Sequence, residues 1–205
     1  NEEMLRQAKR RLIFEELLIL QLGLLSKRSS VDVKITKPIK EDKSDEFYKK
    51  LPFELTNAQK RVIGEAVNDL MSEKPMNRLV QGDVGSGKTA VAAAIIYTAV
   101  KNGFQAAFMA PTEVLANQHY KTLKNFFGDE FSVSLLTGST TAKNKRIVKE
   151  RLESGECNIV VGTHAMIQND VNFKDLGLVI TDEQHRFGVE QRTALSKKGE
   201  NANVL

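Results

Sequence analysis

The chain has 205 residues, 41% of them hydrophobic and 27% charged, with a single cysteine. That balance leaves room for one domain with an appendage, or two small ones, each with a proper core; it excludes wholesale disorder and a disulfide-stapled secreted scaffold. The net charge is +4, of which +3 falls in residues 1–50, a mild basicity that is compatible with a nucleic-acid partner without arguing for one.

Residues 1–25 read as one helix. Leu5, Ala8, Leu12, Ile19 and Leu22 recur at helical spacing, and Phe14, Leu18 and Leu25 form a neighbouring stripe, so a wide apolar face must pack on something. Its longest apolar run, Leu17–Leu25, is nine residues, too short to span a bilayer, and it lacks the small-residue site of a signal peptide. The chain opens on Asn1 rather than Met and stops within the apolar run Asn203-Val204-Leu205, which reads as a piece of a larger protein. Residues 26–50, with Ser29-Ser30, Pro38 and the mixed charges of Lys40–Lys50, have the composition of a linker that carries a short strand at Val31–Ile35. We place a domain boundary there, giving 1–50 and 51–205.

From residue 51 strands and helices alternate. Helices are expected over Asn57–Met71 (capped by Thr56), Lys88–Lys101, Thr112–Phe126, Ala142–Ser154 and Val189–Lys198, with a short one from Thr163. Strands are expected at Arg78–Gln81, Gln105–Ala110, Phe131–Thr137, Asn158–Val161 and Leu176–Thr181. Alternation of this kind builds an α/β fold, a mainly parallel sheet with helices on both faces, and continuous apolar strands such as Ile159-Val160-Val161 suit burial on two sides. Ligands of such sheets sit at the carboxyl ends of the strands.

The segment Gly82-Asp83-Val84-Gly85-Ser86-Gly87-Lys88-Thr89 fits the phosphate-loop pattern and lies where that pattern needs to be, between a strand and a helix. Glycines let the backbone curl so that several N–H groups face phosphate oxygens, and the helix start adds partial positive charge. Lys88 would neutralise the outer phosphates of ATP, and Thr89 would set its hydroxyl on Mg²⁺. Further along, the apolar strand Leu178-Val179-Ile180-Thr181 runs into Asp182-Glu183-Gln184-His185. Two acids after a buried strand are commonly a turn. In a chain that also holds a phosphate loop, Asp182 can hold Mg²⁺ through its waters and Glu183 can orient and deprotonate the water that attacks the terminal phosphate. His185 reads either as an ordinary surface or core histidine or as a coupling residue.

With these motifs on the page, the chain resembles the first helicase lobe of the RecG family, superfamily-two DNA helicases that remodel branched DNA. Gly82–Thr89, Ala110–His119 (APTEVLANQH), Gly162–Ala165 (GTHA) and Asp182–Arg192 (DEQHRFGVEQR) carry the resemblance over about residues 51–205, and Ala8–Leu25 is similar to the helix that joins the family's wedge domain to its motor. DEQH followed by RFGVEQR is the most discriminating stretch. The resemblance implies a RecA-like lobe using ATP and Mg²⁺ in the cytoplasm, acting on forked or junction DNA in recombination and repair. It implies an adenine contact by Phe53 and Gln59, the latter reading equally as an exposed helix residue. It also implies DNA-backbone contacts by Pro111, Thr112, Glu113, Thr137, Gly138, Thr163 and His164, although Thr112 and Thr163 also sit where helix caps belong. The basic residues Lys143, Lys145, Arg146, Lys149 and Arg151 read as a solvated helix face.

Where the chain departs from the family, it lacks the second motor lobe with its arginines, and the wedge. The family has a further strand near residue 203, between the phosphate-loop strand and the acidic-pair strand, and only Asn203-Val204-Leu205 stand there. The expected results are a weakened sheet, weak Mg·ATP binding and almost no turnover. Another DNA translocase, of the transcription-repair coupling or primosomal type, is the neighbouring reading. A P-loop small-molecule kinase is a second class, though no lid insertion is visible, and a nucleotide-binding module without turnover is a third.

Overall fold

The computed structural model describes residues 2–29, 36–188, 194–199 and 202–205, apart from the side chains of residues 27–29 and 185. The chain divides into two compact units, residues 1–34 and 35–205. The first is helix α1 (Glu2–Ser29), which runs four residues past the end that the apolar pattern predicts. Its Leu12, Phe14, Ile19 and Leu22 side chains are exposed, and Arg11 pairs with Glu15 one turn on, at 2.9 Å. Among the described residues no helix is long and apolar enough to cross a membrane. The strand expected at Val31–Ile35 falls on residues outside the described set.

The second unit is a five-stranded parallel sheet in the order β2-β3-β1-β4-β5, with β1 (Gln105–Met109), β2 (Val133–Leu136), β3 (Ile159–Gly162), β4 (Leu176–Thr181) and β5 (Asn203–Val204). Period-two alternation sorts the strand side chains onto two faces. Ala106, Phe108, Ile159, Val161, Leu178 and Ile180 join one core, packed under α3 (Asn57–Leu70), α4 (Lys88–Lys101) and α5 (Glu113–Phe127). Ala107, Met109, Val160 and Val179 join the other, under α6 (Ala142–Ser154) and the turn His164–Ile167. Helix α4 is apolar all round because it is covered all round: every residue from Ala90 to Val100 is buried.

Three expectations need correction. Residues 36–50 are not linker but part of the second unit. Thr36 N–H donates to Glu73 O and Ile39 N–H to Leu70 O, each at 2.9 Å, and a helix α2 (Ser44–Tyr48) buries Phe47 against Tyr97 and Phe127 with ring centroids 5.5 and 5.8 Å apart. The charged residues around Phe47 hid this one anchoring ring from a reading by composition. The strand expected at Arg78–Gln81 does not form. Only Asn77 makes a bridge, to Val204, and Arg78 N–H donates to Val204 O at 3.0 Å. Thr163 does not cap: its turn is a single 3-10 turn without a side-chain cap bond. The first half of the helix expected at Val189–Lys198, residues 189–193, lies outside the described set, and residues 194–196 are helical. The expected place of the last strand holds, since Val204 N–H donates to Met76 O and Leu205 N–H to Val179 O, at 2.8 and 2.9 Å.

Candidate nucleotide and nucleic-acid site

The phosphate loop spans residues 82–87, ahead of α4. Gly85 (φ 81°) and Gly87 (φ 80°) take left-handed conformations that a residue with a Cβ adopts only at a cost. At Gly87 a Cβ would also strike the Gln59 side chain. Gly87 starts α4 without a side-chain cap, and the N–H groups of Gly85, Gly87, Lys88 and Thr89 have no acceptor among the described residues. Exposed unpaired donors beside a helix start form an anion cradle. Lys88 Nζ folds over the loop and donates to Gly82 O (2.7 Å) and Asp83 O (2.8 Å). Gln59 is fixed twice: its Oε1 accepts Thr56 N–H in a capping box, and its Nε2 donates to Ser86 O at 2.8 Å. The structure therefore brings Gln59 to the loop. Phe53 stands 47% exposed, edge-on to Phe126 and lining a shallow groove with Tyr48, Leu55 and Lys60.

The acidic pair follows β4, which lies between β1 and β5. Asp182 N–H donates to Met109 O (2.9 Å), extending the ladder one step beyond the strand. The half-buried Asp182 carboxylate receives His119 Nε2 at 2.8 Å on Oδ2 and Glu183 N–H at 3.0 Å on Oδ1. The His119 hydrogen bond holds its pKa below the usual carboxylate range, and the Lys88 ammonium pulls the same way. Loop and acid pair, 94 residues apart in sequence, follow the two parallel segments that flank β5. Glu183 is the one non-glycine with positive φ (48°) among the described residues, a strain of roughly 1–3 kcal/mol of the kind that collects at functional sites. Its Oε2 is met by Arg186 Nε at 2.9 Å. His185 lies in the same short turn, Gln184–Arg186, and its side chain is outside the described set.

The remaining site residues follow the carboxyl ends of β1, β2 and β3, three adjacent strands. Thr112 caps α5, accepting Leu115 N–H at 3.2 Å. Glu113 accepts both Ser139 N–H (2.9 Å) and Ser139 Oγ–H (2.5 Å); these bonds lower its pKa, and His164 adds to the effect. Pro111 is half-buried, and Thr112, Gly138, Ser139 and His164 are exposed. Thr137 and Thr163 are 1% and 2% exposed, so their hydroxyls face inward, and Thr163 Oγ1 has no partner among the described residues. Of the basic residues on α6, Lys145 donates to Gly138 O, Lys149 pairs with Asp170, Arg146 with Glu150 and Arg151 with Ser132 Oγ, as a solvated helix face does. Sequence reading missed His119 and Ser139 as site residues. The signal for His119 was its place three residues after Ala116 on the buried stripe of α5.

Residues 56–202 match the family model for the DEAD/DEAH box helicases. The chain belongs to the DEAD/DEAH box helicase family. Members of this family use ATP. Among curated relatives, the chain is 52% identical over 204 residues to the ATP-dependent DNA helicase RecG of Thermotoga maritima, and 51% identical over 208 residues to that of Bacillus subtilis. These alignments cover 98% and 99% of the chain but only 26% and 30% of the relatives. A solved structure of RecG bound to a three-way DNA junction superposes with a TM-score of 0.85 at 50% identity, covering 98% of this chain and 27% of that chain. The DEAD-box helicase Mss116, 19% identical with a TM-score of 0.63, shares the fold.

Proposed function

We propose that residues 35–205 are the ATP-binding motor lobe of a cytoplasmic DNA helicase that couples ATP hydrolysis to unwinding and remodelling of branched DNA, such as forks and junctions, in recombination and repair. The observation that carries the reading is that the phosphate loop, ahead of α4, and the acidic pair, after β4, both follow parallel segments of one sheet, the Asn77 segment and β4, which flank β5. The similarity to RecG over nearly the whole chain supports the choice of DNA, and nothing in the fold supports the small-molecule kinase reading.

The residues present fit Mg·ATP. The unpaired N–H groups of Gly85, Gly87, Lys88 and Thr89 supply donors for phosphate oxygens, and the cradle closes where any side chain at Gly87 would displace Gln59. Gly82, Asp83, Val84 and Ser86 shape the rest of the loop, and Gln59 and Phe53 would contact the base. Thr89 and Asp182 would hold Mg²⁺, which supplies charge neutralisation along the phosphates when bound. Lys88 leaves the carbonyls of Gly82 and Asp83 for the terminal phosphate. Glu183 leaves Arg186 and accepts a proton from the attacking water at a carboxylate oxygen. His185, two residues after Glu183 in the same run, would couple the site to a second lobe. Thr112, Gly138 and His164, with Pro111 behind them, offer hydroxyl, N–H and imidazole donors to a nucleic-acid backbone without regard to base sequence. Glu113 holds that edge together, and Thr137 and Thr163 shape it from below.

Substituting Glu183→Gln in the full-length protein tests the assignment. ATP binding is expected to survive and DNA-stimulated hydrolysis to fall about 100-fold or more. Retained hydrolysis would remove Glu183 as the base.

A further inference from the structure

The buried stripe of α5 is Ala116, His119, Leu123 and Phe127. Three of these are apolar and pack as such. The fourth is an imidazole only 8% exposed, lying on Phe108 with ring centroids 4.5 Å apart. A polar ring in an apolar stripe is costly unless its nitrogens are satisfied. Here Nε2 is 2.8 Å from Asp182 Oδ2, across 63 residues of sequence. An ionised carboxylate can only accept, so the hydrogen sits on Nε2 and the imidazole donates. Glu183 N–H holds the other oxygen, Oδ1, at 3.0 Å. With one donor on each oxygen, the carboxylate cannot turn without breaking a bond.

We propose that His119 is a positioning residue: its Nε2–H orients the Asp182 carboxylate toward the divalent cation of the nucleotide and ties that carboxylate to α5. The inference rests on the reading of Asp182 as the metal-holding acid. It goes beyond that reading in making α5 a mechanical link. The helix that presents His119 to Asp182 also begins at Thr112 and Glu113, about 9 Å away along its axis. A shift of its first turn at the nucleic-acid edge therefore moves the donor on the carboxylate. Donors behind a metal-holding carboxylate set its orientation, and losing one commonly weakens metal affinity 10- to 100-fold.

The rival explanation is that His119 serves only as a ring packed on Phe108. Two substitutions separate the two. His119→Phe keeps a flat ring on Phe108 and removes the donor; His119→Gln keeps an Nε2 donor and removes the ring. The measurement is Mn²⁺ affinity in the presence of a non-hydrolysable ATP analogue, followed by electron paramagnetic resonance on the full chain. We expect H119F to weaken Mn²⁺ binding about 10-fold or more, and H119Q to restore most of it. Metal-free binding of the analogue should be the same in both. An H119F variant with unchanged Mn²⁺ affinity, or an H119Q variant as weak as H119F, would overturn the proposal. Asp182→Asn is the control: if it leaves Mn²⁺ affinity unchanged, the reading of Asp182 itself has failed. Should H119F not fold, the unaltered protein still decides. The ¹⁵N signals of His119 must show the Nε2–H tautomer and shift when Mg²⁺ joins the bound analogue; an imidazole indifferent to Mg²⁺ overturns the link.

Discussion

Asp182 stands at the end of a six-residue strand with hydrogen-bonded neighbours on both sides, whereas the phosphate loop follows a segment bridged to the sheet at one residue, Asn77. The acid end is placed by backbone: five buried residues of β4, the β1 ladder, and the Asp182 N–H that continues it. The loop end is placed largely by side chains. Asn203 accepts Met76 N–H on Oδ1 (2.8 Å) and donates Nδ2 to Gly177 O (3.0 Å), stitching the loop segment to β4. Arg78 grips Asp69 (2.8 Å) and Glu65 (2.7 Å) on α3, and Gln59 holds Ser86 O. A carboxylate that must meet a metal at fixed geometry sits on the rigid frame, while the half that must admit and release a triphosphate hangs on a few replaceable contacts.

The contrast is broken most severely at Lys88. In Lys88→Ala the loop keeps its glycines and its unpaired N–H groups but loses the charge-assisted contact, worth about 2–3 kcal/mol, or ~30- to 150-fold in affinity. A fluorescent ATP analogue titrated against the variant measures it. An affinity within a few-fold of the unaltered protein would mean that the backbone cradle alone binds nucleotide. Thermal stability should scarcely change, because the Lys88 bonds to Gly82 and Asp83 lie on an exposed loop.

Asn203→Ala sharpens the comparison from the other side. Asn203 is 3% exposed and satisfies two buried backbone groups, Met76 N–H and Gly177 O. Removing it leaves both unpaired at a cost of about 2 kcal/mol, a Tm lower by ~4–8 °C in a domain of this size. The loop segment should loosen before β4 does. Hydrogen exchange is therefore expected to rise at residues 76–82 while β1 and β4 stay protected. Equal loss of protection in β4 would show that the two halves are not separately held.

The difference between the halves also decides what could be read from sequence. Lys88–Lys101, Ala142–Ser154 and Leu176–Thr181 have the bounds their local patterns predict, since a phosphate-loop glycine, a threonine cap and an apolar run are signals carried within a few residues. The parallel order of strands and the convergence of the motifs on one edge follow from that alternation. Arg78–Gln81 has strand composition but lacks a paired neighbour, and pairing depends on residues more than a hundred positions away. The left-handed backbone of Glu183 and the His119–Asp182 bond are tertiary facts with no local signature. Phe47 on α2 was masked by the charges around it, though it anchors one end of the aromatic cluster.

That cluster gives the mildest test, remote from either half of the site. Glu130 receives Lys101 (2.7 Å) and Lys50, beside the Tyr97 hydroxyl at 3.2 Å. Burial works against its charge, but the hydrogen bonds and attraction of the two ammonium groups outweigh it and lower its pKa from 4.5 to about 2. A carboxyl whose pKa is depressed on folding contributes stability that is complete above its unfolded value and is lost as pH falls toward the folded one. The stabilisation from Glu130 should thus be intact above about pH 4.5 and drain away between there and about pH 2. With solvent screening at this partly exposed site it amounts to about 1 kcal/mol. Glu130→Gln removes the titration, so the difference in Tm between the unaltered protein and the variant should shrink steadily as pH is lowered from 5 through that window (a range set by the two pKa values). Nucleotide affinity at neutral pH should not follow, because the cluster ties α2 and α4 at the end of α4 away from Lys88. A matching loss of nucleotide affinity would show that strain at the aromatic end of α4 reaches its phosphate-binding start, and that the loop half is held along the helix as well as by Gln59, Arg78 and Asn203.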